Sequence, residues 1–206
     1  MTHNIELYGN KEGFSSLLQG NAMKGIVFTE FSQMVEAAFG EDMLDDLIDA
    51  TNPKSGGAYT SVGTYDHVEL VDMVVELSAK VDIPVPKLIH TFGVHLGKVF
   101  TEKFESFFKE AGSTLELLKQ IDKHIHVEVR KLYPDAELPH FSYQDALTDD
   151  DGFKLHYQST RGFADLAEGL IASTSSYYGE SFTVERKDWV EQDIHNTIFT
   201  LRSEGQ

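Results

Sequence analysis

The chain has 206 residues, a hydrophobic share of 41% and a formal net charge of −17 from 17 basic and 34 acidic side chains. These values predict a single globular domain, with room for two lobes, and no apolar run is long enough for a transmembrane helix. So acidic a surface repels nucleic acid and anionic membranes. Because cysteine is absent, disulfides and cysteine-based metal sites are excluded.

The N-terminal half carries the one-sided apolar spacing that is typical of helices. Helices are predicted from Gly25 to Phe39, around Met43 to Ile48, from a capping Asp66 to Leu77, and from Lys87 to Phe108. A break is expected in the last of these helices near Gly97. The first residues lack the basic start and long apolar core of a secretory signal, which points to the cytoplasm.

One histidine lies on the next predicted helix, which covers residues 114–133 and stops at Pro134. His126 projects at the edge of the apolar face, where its side chain can reach into a pocket. His124 points roughly 200° away around the helix, so the two imidazoles cannot share one metal ion. A single axial ligand and an ordinary boundary histidine both remain open for His126.

Residues 152–159 alternate apolar and polar side chains, which predicts a half-buried strand. Continued to its end, this period places Tyr157, Ser159 and Arg161 on one face. A phenol, a hydroxyl and a guanidinium fork can together hold one or two carboxylates. A ligand with an apolar body, a metal centre and paired carboxylates is haem.

The C-terminal part is predicted to contain a helix from about Thr160 to Tyr178, followed by strands at Ser181–Lys187 and His195–Leu201. With residues 152–159 these strands suggest an antiparallel sheet. Helices first and a sheet later is an α+β arrangement.

Together these features resemble the haem–nitric oxide/oxygen binding (H-NOX) family, which includes the sensor domain of soluble guanylate cyclase, and in particular its stand-alone bacterial members. The similarity covers about residues 23–203 and is carried, in chain order, by Met23-Lys24-Gly25, His126, the pair Tyr133-Pro134, Pro139, and the Y-x-S-x-R motif of Tyr157, Ser159 and Arg161.

The resemblance implies the H-NOX fold, with haem held between two lobes. The N-terminal helical lobe would cover about residues 23–85, and the C-terminal lobe of helices plus antiparallel sheet about residues 86–203. Residues 1–22 would then be an N-terminal extension, which we expect to be flexible.

Carried over residue by residue, the resemblance makes His126 the proximal ligand of a haem b iron. Tyr157, Ser159 and Arg161 would hold the haem propionates, and Pro139 would press on the macrocycle and distort it. An ordinary loop proline is the alternative for Pro139.

Three positions that carry polar side chains in oxygen-binding relatives correspond here to Phe31, Leu96 and Leu166. None of these can donate a hydrogen bond to dioxygen. The resemblance therefore implies an apolar distal pocket that admits nitric oxide, and also CO, while discriminating against oxygen.

The expected function is a nitric oxide sensor rather than an enzyme, since the chain shows no Walker loop, dinucleotide fingerprint or hydrolase signature. The relatives imply that the signal passes to a separate protein, either a histidine kinase of a two-component system or a cyclic-di-GMP enzyme. A haem carrier or storage protein and a cofactor-free interaction domain are the alternatives.

Overall fold

The computed structural model describes residues 22–147 and 151–204. The chain divides into two compact units, the first ending at Leu88 and the second beginning at Ile89. The predicted N-terminal extension lies outside the described residues, apart from Ala22. Within the described ranges, no helix combines the length and apolar character needed to cross a bilayer.

The first unit consists mainly of helices that enclose a small apolar core. Its elements are β1 (Ala22–Lys24), α1 (Gly25–Phe39), α2 (Glu41–Thr51), β2 (Thr64–Asp66) and α3 (His67–Val81). Strands β1 and β2 pair antiparallel. The predicted cap is confirmed, because the Asp66 carboxylate accepts a hydrogen bond of 3.0 Å from the Val68 N–H. Side chains with no exposed surface in this unit include Phe28, Phe31, Val35, Leu47, Met73 and Leu77.

Gly25 in the opening motif sits where no other residue fits. A Cβ at this position would lie 1.9 Å from the carbonyl oxygen of Thr60. The Gly25 N–H donates a 2.8 Å hydrogen bond to the carbonyl of Gly63. The start of α1 is therefore held directly against the backbone of the loop before β2, which explains the glycine physically.

Helix α4 (Val85–Lys103) is followed by α5 (Glu105–Ala111). The predicted break near Gly97 is wrong, because α4 runs through Gly97 and ends only at Lys103. A Cβ on Gly97 would lie 2.5 Å from the Cβ of Ser173. The glycine therefore serves close side-by-side packing rather than a break in the helix.

The second unit combines helices with a four-stranded sheet. After α5 the chain forms α6 (Thr114–Gln120), a π turn (Ile121–Ile125), α7 (His126–Leu132), β3 (His140–Gln144), β4 (Phe153–Ser159), α8 (Ala164–Tyr178), β5 (Phe182–Glu191) and β6 (Ile194–Ser203). The strand order is β3-β4-β6-β5, and every neighbouring pair is antiparallel. The predicted α+β class is confirmed, and β3 is a strand that the sequence patterns did not predict.

Side chains from α6, α8 and one face of the sheet form the core of the second unit. The alternation predicted for residues 152–159 is confirmed, since Phe153, Leu155 and Tyr157 are buried while the residues between them are only partly covered. The buried cluster comprises Leu118, Phe153, Leu155, Tyr157, Ala164, Ala167, Ile171, Phe199 and Leu201. Burial of this face fixes the register of β4, because a slip of one residue would turn Tyr157 away from the core.

Helices α4 and α8 approach each other at a pair of glycines. A Cβ on Gly93 would lie 2.3 Å from the carbonyl oxygen of Leu166, and one on Gly169 would lie 2.2 Å from the carbonyl oxygen of His90. Both obstacles are backbone atoms, which cannot move aside as a flexible side chain could.

Replacing Gly93 with alanine is therefore expected to lower the free energy of unfolding. Overpacking costs about 1–3 kcal/mol, and the better helix propensity of alanine recovers about 1 kcal/mol of that. Because the obstacle is a backbone atom, the cost should lie at the upper end of that range, and urea denaturation should show a net loss of about 2 kcal/mol. The control is Lys98→Ala, at an exposed position of the same helix. A Gly93→Ala protein as stable as the unaltered chain would contradict the close packing.

Candidate functional site

The helix that carries His126 changes its hydrogen-bonding pattern immediately before that residue. Helix α6 gives way to the π turn, and the His126 N–H donates to the carbonyl of Ile121, five residues earlier. The prediction of one continuous α-helix over residues 114–133 is wrong at this point. Single π turns inside helices often occur at functional sites. The local departure from the regular helix thus marks His126 as the centre of a candidate site.

The His126 imidazole is buried, with 8% of the residue exposed. Its Nδ1 lies 2.9 Å from Oδ1 of Asp122. Since an ionised carboxylate only accepts hydrogen bonds, Nδ1 carries the proton. Among the described residues, Nε2 of His126 has no hydrogen-bond partner.

Burial lowers the pKa of His126, against the raising effect of Asp122. The neutral imidazole is therefore favoured near pH 7, with a proton on Nδ1 and a lone pair on Nε2. This is the form in which histidine binds metals.

Phe141 connects His126 with the strand that carries the predicted carboxylate-binding motif. The ring centroids of His126 and Phe141 are 5.8 Å apart, and those of Phe141 and Tyr157 are 5.5 Å apart. Phe141 on β3 is the direct register partner of Tyr157 on β4. The pairing of these two strands thus brings the histidine and the motif to the same side of the second unit.

The three motif residues form a compact turn at the end of β4. The Tyr157 hydroxyl donates to the carbonyl of Arg161 at 2.9 Å, and the Arg161 N–H donates to Oγ of Ser159 at 3.1 Å. Burial raises the pKa of Tyr157, so the phenol stays protonated and keeps its donor. The Arg161 carbonyl is used by this turn, and α8 begins only at Ala164 rather than near Thr160 as predicted.

The Arg161 guanidinium is also buried, with 8% of the residue exposed. Its Nη2 donates to the carbonyl of Glu137 at 2.5 Å and lies 4.0 Å from the Glu137 carboxylate. Burial lowers the pKa of Arg161, which means that the charged form loses solvation here. A desolvated guanidinium is stabilised by an anion that it can bind through two parallel hydrogen bonds. A propionate meets that requirement, so the donor set fits haem.

Pro139 lies two residues beyond Glu137 and directly precedes β3. It is half-buried. It lies in the chain between Glu137, which contacts Arg161, and Phe141, which contacts His126. Pro139 is therefore on the segment that connects the motif with the histidine. Its predicted role against a macrocycle remains a prediction.

The three residues predicted for the distal pocket occupy different elements. Phe31 is on α1 in the first unit and has no exposed surface. Leu96 on α4 is buried, and Leu166 on α8 is half-buried. Gly93 meets the backbone of Leu166 at the close approach of α4 and α8 described above.

Four residues of the site were missed by the sequence patterns, namely Asp122, Glu137, His140 and Phe141. Asp122 precedes His126 by four residues, and this spacing on a helix was a usable signal for a side-chain pair. The other three lie on or beside β3. Their contacts become visible only once the pairing of β3 with β4 is known.

The family model described as Haem-NO-binding (HNOB) matches residues 24–186. The chain belongs to this H-NOX family. H-NOX domains are haem-based gas sensors rather than catalysts. The predicted membership is confirmed, and the matched residues span both compact units.

Solved structures agree with the assignment to the H-NOX family. An H-NOX protein from K. algicida, described as Fe(II) unliganded, is 33% identical, with a TM-score of 0.82 over 89% of this chain and 98% of that one. An H-NOX protein from S. oneidensis in the Fe(II) ligation state is 25% identical, with a TM-score of 0.78 over the same shares of the two chains. A variant of the T. Tengcongensis H-NOX is 20% identical with a TM-score of 0.79, which shows the shared fold. No curated protein matches the chain.

Proposed function

We propose that this H-NOX chain is a haem-based sensor selective for nitric oxide, with His126 as the proximal ligand of a haem b iron. The observation that carries the proposal is a buried neutral imidazole whose Nε2 has no hydrogen-bond partner among the described residues. The neutral imidazole keeps a lone pair on Nε2, and this is the group with which histidine binds a metal ion. Coordination to iron would use this lone pair.

The motif at the end of β4 supplies groups that would hold the haem propionates. Arg161 provides a fixed positive charge, Tyr157 a protonated phenol and Ser159 a hydroxyl. In the described structure these groups hydrogen-bond to one another and to Glu137. On haem binding, these donors would exchange their present contacts for the carboxylate oxygens of the propionates. Pro139 would contact the macrocycle and bend it.

The proposed selectivity for nitric oxide depends on the absence of hydrogen-bond donors among the distal residues. Phe31, Leu96 and Leu166 are apolar and offer no hydrogen-bond donor. Haem supplies a ferrous iron that binds nitric oxide or CO without such a donor, whereas dioxygen gains much of its stabilisation from one. We therefore expect nitric oxide and CO to bind, and dioxygen to be disfavoured.

The conformational change that signals ligand binding would begin at His126, the first residue of α7. A change in the force on its Nε2 acts on α7 directly, because the imidazole is covalently part of that helix. The adjoining π turn offers a place where the helix can yield without unfolding. We propose that the resulting shift is detected by a separate signalling protein in the cytoplasm, either a histidine kinase or a cyclic-di-GMP enzyme.

Titration of the reduced, haem-loaded protein with gases tests this function. Excess nitric oxide is expected to give visible and electron paramagnetic resonance spectra that report loss of the histidine ligand. Air should leave the ferrous spectrum without an oxygen complex. Spectra in which histidine stays bound under excess nitric oxide would contradict the proposed relay.

Two further measurements on the purified protein could favour the alternative functions. A purified protein without a Soret band after haem reconstitution would indicate a cofactor-free interaction domain. Rapid transfer of haem to apomyoglobin would indicate a carrier, although the burial of His126 argues against an easily exchanged ligand.

A further inference from the structure

Asp122 contacts two histidines at once, one through each of its carboxylate oxygens. Its Oδ1 is 2.9 Å from Nδ1 of His126, and its Oδ2 is in close contact with Nδ1 of His140. The side-chain exposures rise from 10% for His126 through 24% for Asp122 to 62% for His140. The carboxylate thus joins a buried imidazole to an exposed one.

Backbone structure holds this trio in place from two sides. Asp122 lies within the π turn and His126 follows the end of that turn, while His140 is the first residue of β3. β3 is itself anchored by its pairing with β4, where His140 is the register partner of Gln158. Because both oxygens of Asp122 are engaged, the carboxylate cannot rotate away from His126 without losing its contact with His140.

We propose that Asp122 is a positioning residue that orients His126 and strengthens its bond to the haem iron. This inference rests on the proposed role of His126 as the iron ligand. By accepting from Nδ1, the carboxylate fixes the tautomer in which Nε2 is the free nitrogen. It also makes Nε2 a stronger electron donor, as carboxylates that hydrogen-bond to metal-bound histidines generally do.

His140 has the complementary task of holding the carboxylate. Without it, Asp122 would be a partly exposed side chain free to adopt other rotamers, and the entropy of fixing it would oppose the contact with His126. Asp122 and His140 together therefore determine how firmly His126 is bound to the haem iron. They also determine how readily nitric oxide displaces His126.

The experiment compares Asp122→Asn with Asp145→Asn in the haem-loaded ferrous protein. Asp145 is exposed and pairs with Lys119, so its replacement removes the same charge without removing a contact of His126. Resonance Raman spectroscopy should show a lower iron–histidine stretching frequency in Asp122→Asn and an unchanged one in Asp145→Asn. Stopped-flow mixing with nitric oxide should show histidine loss that is roughly 10-fold faster in Asp122→Asn alone.

The outcomes separate this inference from the proposed function. Haem binding through His126 with an unchanged stretching frequency and rate in Asp122→Asn would overturn the role of Asp122 and leave the sensor intact. A normal Soret band in a His126→Gly protein without imidazole would overturn the proposed function itself.

A second measurement covers the case in which Asp122→Asn does not retain haem. In a His126→Gly background, free imidazole replaces the missing side chain. Its affinity for the haem-loaded protein is expected to fall roughly 10-fold when Asp122 is also replaced by Asn. Equal imidazole affinities in the single and double variants would overturn the inference.

Discussion

Replacing His126 with glycine is expected to leave the purified protein without its normal Soret band. We propose that Nε2 of this imidazole is the only protein atom bonded to the iron. The substitution removes that bond. It also leaves a cavity of imidazole size next to Asp122 and Phe141. Imidazole added to the growth medium should fill that cavity and restore the Soret band.

His124→Gly is the matched control for this result. His124 lies two residues earlier in the same helical segment and is exposed, so its replacement carries a similar helix-propensity cost of about 1 kcal/mol. Haem content should stay unchanged in this variant. If the His126→Gly protein instead contained haem with a normal spectrum and no need for imidazole, the assignment of the proximal ligand would be wrong.

The parts of the site that could be predicted from the sequence are those that depend on local patterns. The alternation over residues 152–159 identified β4, because burial of one face imposes a period of two. The same period placed Tyr157, Ser159 and Arg161 together at the end of that strand, and the structure links them by hydrogen bonds. His126 stood out because it lies at the edge of an apolar helical stripe, and it is buried.

The parts that could not be predicted depend on non-local pairing or on small shifts in helical phase. A π turn differs from an α-helical turn by one residue per hydrogen-bonded ring, and apolar spacing over five residues does not distinguish the two. Strand β3 is short, largely exposed and preceded by Pro139. Residues 140–144 form a strand because they pair with the edge of β4. Their own sequence does not indicate this pairing.

The second large effect is expected from Leu166→Tyr, which should give the ferrous protein an affinity for oxygen. Leu166 is half-buried on α8, and the resemblance to oxygen-binding H-NOX relatives implies a tyrosine at its position in those relatives. Dioxygen on ferrous haem carries partial negative charge, and a hydrogen bond to a charged group is worth about 1.5–3 kcal/mol. That free energy corresponds to a gain of about 10- to 150-fold in oxygen affinity. Equilibrium titration of the reduced protein with oxygen measures it.

Leu166→Phe separates the hydrogen bond from the size of the ring. Phenylalanine has the same aromatic body as tyrosine but no hydroxyl, so any gain that comes from reshaping the pocket should appear in both variants. Nitric oxide affinity should change little in either one, because nitric oxide on ferrous haem depends much less on a donor. Equal oxygen affinities in the two variants would mean that Leu166 does not face the bound gas, and the apolar pocket would then fail as the source of selectivity.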